Sequence, residues 1–492
     1  MGKRVILVST NWEEVSLCSS SLDRKLEVKC TDESHYPLGI AYLHSFLESK
    51  GHDVESLWLN NYPFEYGLSS ITATIDKFNP DVVGLQLFTP NRMSSYQVIE
   101  FIHNKYPNIT IVIGGIHTTI MYDQLLRKYP YVIAVLGEGE FSFNNLLQEL
   151  STPDPDLKTV NGIAFFHGGN VLRNPDQELI ENLDILPFPK HELFFSGTRV
   201  NACIITSRGC PNRCSFCCLN THNKRKVRLR SVENVVDEIE WLITSFPQLK
   251  SIWIHDDTFF LNTSRVIQFC DLIISKNIKI NFICSGKFKP ISKEMVQKLE
   301  QAHFIKVLLG LESADESILK RCHKGITQKD VIHAVDLFAK SKIDIYAFII
   351  VGLPGETQET VINTGRFIQK LQRMKYMYYD NIGVLTIYPG TEVYEIAKSN
   401  GVLDDDYWLT DKITPLYTVE HSQEQLFLFK EMMLDYISSD RLFTKERFFK
   451  QWFMIPSVFS YKLRYLWLER LKYIIHKIFA GKIHTSTTGT RQ

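Results

Sequence analysis

Short runs of β-branched and other apolar residues recur through the first 150 positions, where they alternate with amphipathic stretches. The runs predict buried strands, and the stretches between them predict helices with one apolar face. The predicted strands cover residues 3–9, 52–59, 81–88, 110–115 and 131–136, and the predicted helices cover residues 37–51, 69–78 and 96–106. This alternation predicts an α/β fold with a Rossmann-like, doubly wound parallel sheet.

Polar and glycine residues follow several of these strands. Ligands of doubly wound sheets bind beyond the carboxyl ends of the strands, so these residues are candidate ligand contacts. They are Thr89, Gly114, Gly115, Gly137, Glu138, Gly139 and Glu140. A dinucleotide site would need G-x-G-x-x-G after the first strand, and a triphosphate site would need a Walker loop. The sequence contains neither motif in those places.

A second strand–helix series begins near residue 201, after a connecting region. Two prolines in residues 151–156 mark the boundary, residues 160–171 predict a short hairpin, and residues 183–189 predict an extended connector. The predicted strands of the second series cover residues 202–207, 250–255, 280–285, 305–313, 343–352 and 382–388. Six such units predict a partial (β/α)6 barrel with its active site at the carboxyl ends of the strands.

Three cysteines follow the first strand of the predicted barrel. Cys210, Cys214 and Cys217 form a C-x3-C-x2-C pattern, and Phe216 places an aromatic ring beside them. A 4Fe–4S cluster normally takes four cysteines, so three thiolates leave one iron open for another ligand. A zinc site is the alternative, because structural zinc takes four protein ligands. Its fourth ligand would come from a nearby residue: Cys203, Cys218 or His222.

The cysteine pattern resembles the signature of the radical S-adenosylmethionine (radical SAM) superfamily. The resemblance implies that the amino and carboxylate groups of S-adenosylmethionine chelate the open iron. It also implies that reductive cleavage of this molecule gives a 5′-deoxyadenosyl radical. Its expected contacts to S-adenosylmethionine are Phe216, Asp256, Asp257, Ser285, Glu312 and Gly352.

Individual roles follow from the charges of S-adenosylmethionine. Asp256 or Asp257 is expected to accept hydrogen bonds from its ammonium group, and Glu312 to contact its ribose or methionine part. Ser285 and Lys287 are expected to meet its carboxylate or ribose. The alternative for each acidic residue is a cap on the following helix.

The first region resembles the cobalamin-binding domain that precedes many radical SAM cores. The resemblance rests on Val-Ile-Gly-Gly-Ile-His-Thr-Thr at residues 112–119 and Leu-Gly-Glu-Gly-Glu at residues 136–140. It implies cobalamin contacts from Thr89, Gly114, Gly115, His117, Gly137, Glu138 and Gly139. The family's Asp-x-His-x-x-Gly motif is missing, so His117 either replaces its cobalt ligand or orders the loop. A domain that keeps the fold and lacks the cofactor is the alternative.

Composition fits a soluble protein of two to four domains. The chain has 492 residues, of which 44% are hydrophobic and 22% charged. Ten cysteines at this length indicate a reducing cytoplasm and not a disulfide scaffold. No run reaches the roughly 18 apolar residues that a membrane-spanning helix needs.

The C-terminal region carries most of the charge asymmetry. Residues 423–438 predict a helix, and residues 441–484 carry a net charge of +8 with many aromatic residues. This basic, aromatic tail fits a helix packed on the barrel, or one lying in a membrane interface. Nucleic acid is not an expected partner, because the rest of the chain is acidic.

These interpretations predict four segments: a cobalamin-binding domain at residues 1–155, a linker at 156–195, a radical SAM core at 196–425 and a helical region at 426–492. The expected activity is cobalamin-dependent methylation of an unactivated carbon in a lipid or natural-product precursor. An external electron donor such as flavodoxin or ferredoxin is the expected partner.

Three other functions fit parts of the pattern. The first is a radical cyclase or rearrangement enzyme that uses the same cofactors without methyl transfer. The second is a non-catalytic protein that binds cobalamin or carries an electron. The third is an RNA methylthiolating enzyme, which needs three further cysteines in the N-terminal domain. That domain holds only Cys18 and Cys30.

Overall fold

The computed structural model describes residues 2–12, 36–195, 199–219, 225–379 and 382–439. The predicted basic tail lies outside the described residues. The segment Met1–Leu434 forms one compact unit. None of the described helices has the length and hydrophobicity needed to cross a bilayer.

Within the described ranges, the first sheet has seven strands in the spatial order β2-β1-β3-β4-β5-β6-β7. They are β1 (Arg4–Ser9), β2 (Asp53–Trp58), β3 (Val82–Gln86), β4 (Thr110–Gly114), β5 (Val132–Val135), β6 (Ile163–His167) and β7 (Asn170–Arg173). Strands β1 to β5 are parallel, while β6 and β7 pair antiparallel. The doubly wound parallel sheet predicted from the sequence is therefore confirmed.

Helices cover both faces of this sheet, which is why its central strands are apolar on both sides. They are α1 (Leu38–Ser49), α2 (Phe64–Phe78), α3 (Arg92–Lys105), α4 (Ile116–Lys128) and α5 (Gly139–Glu149). In β1, the four consecutive residues Val5 to Val8 are all buried, as a central parallel strand requires. The strand order places β1 between β2 and β3, where chain direction across the sheet reverses and ligands of such folds bind.

The second sheet forms the open barrel. Its strands are β8 (Asn201–Ile204), β11 (Ser251–Ile254), β12 (Asn281–Gly286), β13 (Phe304–Glu312), β14 (Asp344–Val351), β15 (Met377–Tyr378) and β16 (Ile382–Val384). A separate ribbon pairs β9 (Ser207–Arg208) with β10 (Arg228–Leu229). All pairings in the barrel sheet are parallel, with β8 at one edge and β16 beside β14. The predicted partial barrel is confirmed.

The described helices of the second series are α6 (Val232–Ser245), α7 (Thr263–Ser275), α8 (Lys293–Gln301), α9 (Glu316–Arg321), α10 (Gln328–Ala339), α11 (Gln358–Met374), α12 (Glu392–Ser399) and α13 (Gln423–Ser439). Their starts follow local capping rules. The hydroxyl of Ser231, predicted as the N-cap of α6, accepts a hydrogen bond from the amide of Asn234. Thr327 and Thr357 cap α10 and α11 in the same way.

Among the local predictions that differ from the structure are a helix start, a hairpin and a connector. Helix α2 begins at Phe64, five residues before the predicted start, because Pro63 precedes it in an extended conformation. The predicted hairpin forms β6 and β7, and backbone pairing with β5 adds it to the first sheet. The predicted extended connector contains a 3-10 turn at Leu183–Ile185, where the Asn182 side chain accepts a hydrogen bond from the Asp184 amide.

One hydrophobic core joins the first sheet to the segment after the barrel strands. It combines residues of β1, β3 and β4 with Leu385, Ile387 and Trp408. Arg92, which is fully buried, lies at this junction with its guanidinium 5.4 Å from the centre of the Trp408 ring. Arg92 donates hydrogen bonds to the carbonyls of Thr89 and Lys412. The N-terminal sheet and the barrel are thus stabilised as one body.

Replacing Arg92 with Ala should lower the free energy of unfolding by about 3 kcal/mol, because buried carbonyl oxygens lose their donors and a cavity remains. Thermal denaturation of the full chain measures the change. Arg127→Ala is the control, since Arg127 pairs with Asp123 on an exposed helix surface. The control should change stability by about 0.5 kcal/mol or less. Equal melting temperatures for Arg92→Ala and the control would contradict this account of the junction.

Candidate active site between the two sheets

The three cysteines lie on a loop at the carboxyl end of β8. Gly209 starts the loop with φ of +96°, a conformation that favours glycine. A hydrogen bond from the Cys217 amide to the Cys214 carbonyl, 3.0 Å long, turns the chain between the second and third cysteine. Cys210, Cys214 and Cys217 are half-buried and none is in a disulfide. The loop therefore offers three thiols on one short, bent segment.

Asp256 holds the base of this loop. Its carboxylate accepts hydrogen bonds from the amide and hydroxyl of Thr206, at 2.5 and 2.6 Å, and from the amide and hydroxyl of Ser207, at 3.2 and 2.7 Å. Burial raises the pKa of Asp256, although the Thr206 donors oppose the rise. These four hydrogen bonds from the protein itself engage both carboxylate oxygens of Asp256. Asp257 is therefore the better placed of the two predicted ammonium contacts.

Asp257 faces a cavity at the carboxyl ends of the strands. It accepts a hydrogen bond from the Gly209 amide at 3.1 Å. Desolvation of the carboxylate by the surrounding protein atoms is the largest cause that raises the pKa of Asp257, and the charge of Asp256 is the next. Together they raise this pKa to about 6. At neutral pH this carboxylate supplies negative charge to the cavity wall beside the cysteine loop.

Glu312 and Lys324 form a buried ion pair on the barrel side, with 2.8 Å between the carboxylate and the ammonium. Glu312 has φ of +64°, an uncommon conformation for a non-glycine residue, and it follows an irregularity in the pairing of β13 with β14. Lys324 also lies 5.9 Å from the centre of the Phe216 ring. Sequence reasoning missed Lys324, because only the fold brings the turn after α9 to the cysteine loop.

The thiols lie in surroundings that oppose free thiolates. Burial raises the pKa of Cys214, and it raises the pKa of Cys217 to about 12. A bound metal overcomes such a rise, because a coordinating thiol is deprotonated outright. Among the described residues, no three His, Cys, Asp or Glu side chains converge on one metal-ion position. Cysteines that bind three different irons of a cluster are not expected to converge on one point.

Two other predicted S-adenosylmethionine contacts lie at the ends of barrel strands. Ser285 is half-buried near the end of β12. Gly352 follows β14 with φ of +84°, and a Cβ there would lie 2.5 Å from the Leu426 side chain. The Gly352 amide donates to the carboxylate of Glu356, which is itself buried. Gly352 is therefore held by a buried acid on one side and covered by α13 on the other.

A cavity of about 580 Å³ opens where the strand ends of the first sheet face the cysteine loop. Five of the predicted cobalamin contacts line it: Gly114, Gly115, Gly137, Glu138 and Gly139. From the other side the cavity is lined by Ile205, Ser207, Arg208, Gly209, Cys218, Leu219, His255 and Asp257. Gly84 of β3, with Leu7 and Phe143, lines an apolar extension along the sheet. One space thus reaches from the glycine motifs to Gly209 and Cys218, which flank the three cysteines. Cys210, Cys214 and Cys217 themselves do not line it.

Thr89 and His117, the other two predicted cobalamin contacts, do not line this cavity. His117 is fully buried, and its ring nitrogens lie 3.0 Å from the Thr89 hydroxyl and 3.0 Å from the Tyr96 hydroxyl. Burial lowers the pKa of His117 to about 3, so the ring is neutral. These contacts correspond to the loop-ordering alternative and engage both nitrogens that a cobalt ligand would use.

Ion pairs join the two walls of the cavity. Arg208, which lies two residues before Cys210, contacts Glu138 at 3.0 Å and Glu140 at 2.6 Å. Arg228 contacts the other oxygen of Glu138 at 2.6 Å. The arginines hold the pKa of Glu138 below its usual range, against the effect of burial. Sequence reasoning missed both arginines, since their partners are about 70 to 90 residues away in the chain.

Comparison with known proteins gives matches to both halves of this arrangement. The radical SAM superfamily model matches residues 204–368, and the B12 binding domain model matches residues 25–147. An uncharacterised methyltransferase of Pyrococcus horikoshii is 30% identical over 437 residues, covering 87% of this chain and 93% of the relative. The chain belongs to the cobalamin-dependent radical SAM enzymes. Their cofactors are a 4Fe–4S cluster, S-adenosylmethionine and cobalamin.

This radical SAM enzyme is also similar to proteins of lower sequence identity. The anaerobic magnesium-protoporphyrin IX monomethyl ester cyclase of Rubrivivax gelatinosus is 29% identical, covering 67% of this chain and 61% of the relative. The solved structure of the cobalamin-dependent enzyme OxsB with aqua-cobalamin and S-adenosylmethionine bound has a TM-score of 0.71 at 17% identity. It covers 99% of this chain and 74% of that chain. The solved structure of the methyltransferase TsrM from Kitasatospora setae has a TM-score of 0.65 at 19% identity. It covers 81% of this chain and 77% of that chain. Both share the fold.

The residues of this radical SAM enzyme fit the three cofactors. The cysteine loop carries three unbridged thiols, and two lysines lie beside it. The glycine-rich strand ends and the apolar extension by Gly84 leave space for a large ring and a chain along the sheet. A methyl group at Gly115 would lie 2.6 Å from the Leu87 carbonyl oxygen, so this turn needs glycine.

Gly115→Ala should weaken cobalamin binding at least about tenfold, because φ of +96° costs an alanine roughly 1–2 kcal/mol and the methyl group pushes the loop from Leu87. Cobalamin titration followed by absorption measures this. Gly168→Ala is the control, since Gly168 also has positive φ and no atom lies within 4 Å of its added methyl group. Equal cobalamin affinity in both variants would show that the Gly115 turn does not shape the site.

Glu356→Gln should change the pH dependence of stability. One carboxylate oxygen of Glu356 has no hydrogen-bond partner among the described residues, and burial raises its pKa to about 8. The folded state then keeps a proton that the unfolded state loses above about pH 4.3, so parent stability falls as pH rises toward 8. The variant lacks this loss, and its melting temperature relative to the parent should rise by several degrees between pH 6 and pH 9.

The control for this pH effect is Glu359→Gln, three residues further on the exposed first turn of α11. Its melting temperature relative to the parent should be the same at both pH values. A Glu356→Gln difference that does not change with pH would contradict the buried-acid account.

Proposed function

We propose that this enzyme transfers a methyl group to an unactivated carbon of a small-molecule or lipid-like substrate. The observation that carries the proposal is a cavity bounded on one side by Gly209 and Cys218, which flank the three cysteines, and on the other by the glycine-rich ends of the first sheet. A substrate in this space would meet both cofactors. In this proposal residues 1–155 bind cobalamin and residues 196–425 form the radical SAM core.

The chemistry that the bound groups supply is reductive cleavage of S-adenosylmethionine at the cluster and methyl transfer through cobalamin. The chain's own residues provide position and surroundings. Cys210, Cys214 and Cys217 are the proposed cluster ligands. Asp257 is the proposed acceptor for the ammonium of S-adenosylmethionine.

The rest of the proposed site follows the strand ends. Glu312, held by Lys324, and Ser285 are proposed to orient S-adenosylmethionine in the barrel, near Gly352 and Phe216. Gly114, Gly115, Gly137 and Gly139 are proposed to approach the corrin ring, while Glu138 holds the loop by pairing with Arg208. Apolar walls around these groups would exclude water from a reactive radical.

Several relatives support methyl transfer. The first is described as a methyltransferase, and the relative from Streptomyces wedmorensis is described as cytidylyl-2-hydroxyethylphosphonate methyltransferase at 24% identity. The similarity to the Rubrivivax cyclase favours a second candidate, radical cyclisation without methyl transfer. We propose an external one-electron donor of the flavodoxin or ferredoxin class for either reaction. Membrane contact would rest on the tail, which lies outside the described residues.

Anaerobically reconstituted and reduced protein should convert S-adenosylmethionine to 5′-deoxyadenosine, and Cys214→Ala should lower this rate at least about 100-fold, because a three-cysteine cluster site loses one ligand. Product chromatography measures the rate. The matched variant is Cys218→Ala, which should retain the iron and sulfide content of the parent. Cleavage by Cys214→Ala at the parent rate would contradict the proposal.

A methyl label separates the two candidate reactions. With S-adenosylmethionine deuterated at its methyl group, the methyltransferase incorporates the label into the product and the cyclase does not. An unlabelled product formed together with 5′-deoxyadenosine would exclude methyl transfer and leave the cyclase.

A further inference from the structure

We propose that Lys287 and Asn212 form a hydrogen-bond relay onto the sulfur of Cys210, and that this relay raises the reduction potential of the cluster. The inference deepens the proposed function and rests on Cys210 being a cluster ligand. It assigns Lys287 a different role from the direct contact to S-adenosylmethionine expected from the sequence.

The relay consists of two consecutive hydrogen bonds. The Lys287 ammonium donates to the side-chain oxygen of Asn212 at 2.8 Å, and the Asn212 amide nitrogen donates to the Cys210 sulfur at 3.1 Å. An ammonium only donates, so the oxygen of Asn212 must face Lys287. The amide NH2 group is then left to face the sulfur. The lysine therefore fixes the orientation of the asparagine.

The lysine itself is held in place. Lys287 donates a second hydrogen bond, 2.6 Å long, to the backbone carbonyl of Lys324. The preceding residue, Gly286, packs so closely that a Cβ there would lie 2.6 Å from the Phe260 ring. The end of β12 is thus fixed against the barrel, and the half-buried Lys287 side chain extends from it toward the cysteine loop.

Lys287 and Lys324 differ in whether a carboxylate balances their positive charge. Lys324 is paired with the carboxylate of Glu312, so that pair is neutral as a whole. Among the described residues, no carboxylate lies within 4.0 Å of the Lys287 ammonium. The titratable groups that face it are Lys324, Lys289, Cys210 and Cys214. The positive charge of Lys287 therefore acts mainly on the cysteine loop.

Both parts of the relay favour the reduced cluster. Reduction adds one electron, which comes from the external donor, and it places further negative charge on the cluster and its sulfur ligands. Hydrogen bonds to the sulfurs and nearby positive charge stabilise that negative charge and raise the reduction potential. No covalent bond forms or breaks in this step. The relay makes the first electron transfer easier for a weak donor.

The test is a redox titration of the full chain with its reconstituted cluster, without S-adenosylmethionine, followed by electron paramagnetic resonance (EPR). Lys287→Met and Asn212→Ala should each make cluster reduction about tenfold less favourable, a shift of about −59 mV for one electron. The double variant should shift no further than Lys287→Met alone, because Lys287 acts on the sulfur through Asn212. Lys289→Met is the control, since Lys289 lies two residues away and is exposed beside Asp330. It should keep the parent potential.

Iron and sulfide content equal to that of the parent shows that each variant holds its cluster. Unchanged potentials in the Lys287 and Asn212 variants would overturn the relay while leaving the proposed function intact. A shift in Lys287→Met alone would also overturn it, because the charge would then act without the asparagine. If the parent protein cleaves S-adenosylmethionine although it holds no cluster, that result would instead refute the proposed function.

Discussion

The ion pairs of Arg208 are the interaction on which the geometry of the site depends. Arg208 belongs to the strand that leads into the cysteine loop. Glu138 lies in the glycine-rich loop after β5, and Glu140 lies in the first turn of α5. Buried ion pairs do not by themselves imply stability, because desolvation opposes the attraction. Their value here is positional. They fix the distance between two loops that come from two different sheets.

The cysteine loop depends on a second set of fixed contacts. The fully hydrogen-bonded Asp256 holds the strand end before the first cysteine, and the Glu312–Lys324 pair lies on the far side of the loop. These contacts hold the chain on both sides of the cysteine loop and leave its thiols available to bind a metal. The same arrangement explains why acidic residues at strand ends have different roles, since Asp256 faces inward and Asp257 faces the cavity.

Much of this fold follows from local sequence patterns. Apolar runs such as Val5 to Val8 predict the parallel strands, and spacing alone predicts that Cys210, Cys214 and Cys217 form a metal-binding set. The sequence predicts ligand contacts at glycines 114, 115, 137 and 139, because strand ends in such sheets form the binding edge, and the structure places all four on the cavity wall. The hydrogen-bond and ion-pair partners of individual side chains are not predictable in this way. His117 has a sequence position expected of a ligand, yet its partners Thr89 and Tyr96 enclose it in the core.

Arg208, Lys324 and Asn212 illustrate the same limit, because their roles depend on partners that only the fold brings together. The central claim is that one cavity brings the cluster and cobalamin close to each other. EPR of protein in which the reduced cluster and cobalt(II) cobalamin are both paramagnetic tests it most directly. The account predicts spectra broadened or split by coupling between the two centres. A spectrum equal to the sum of the two isolated centres would contradict it.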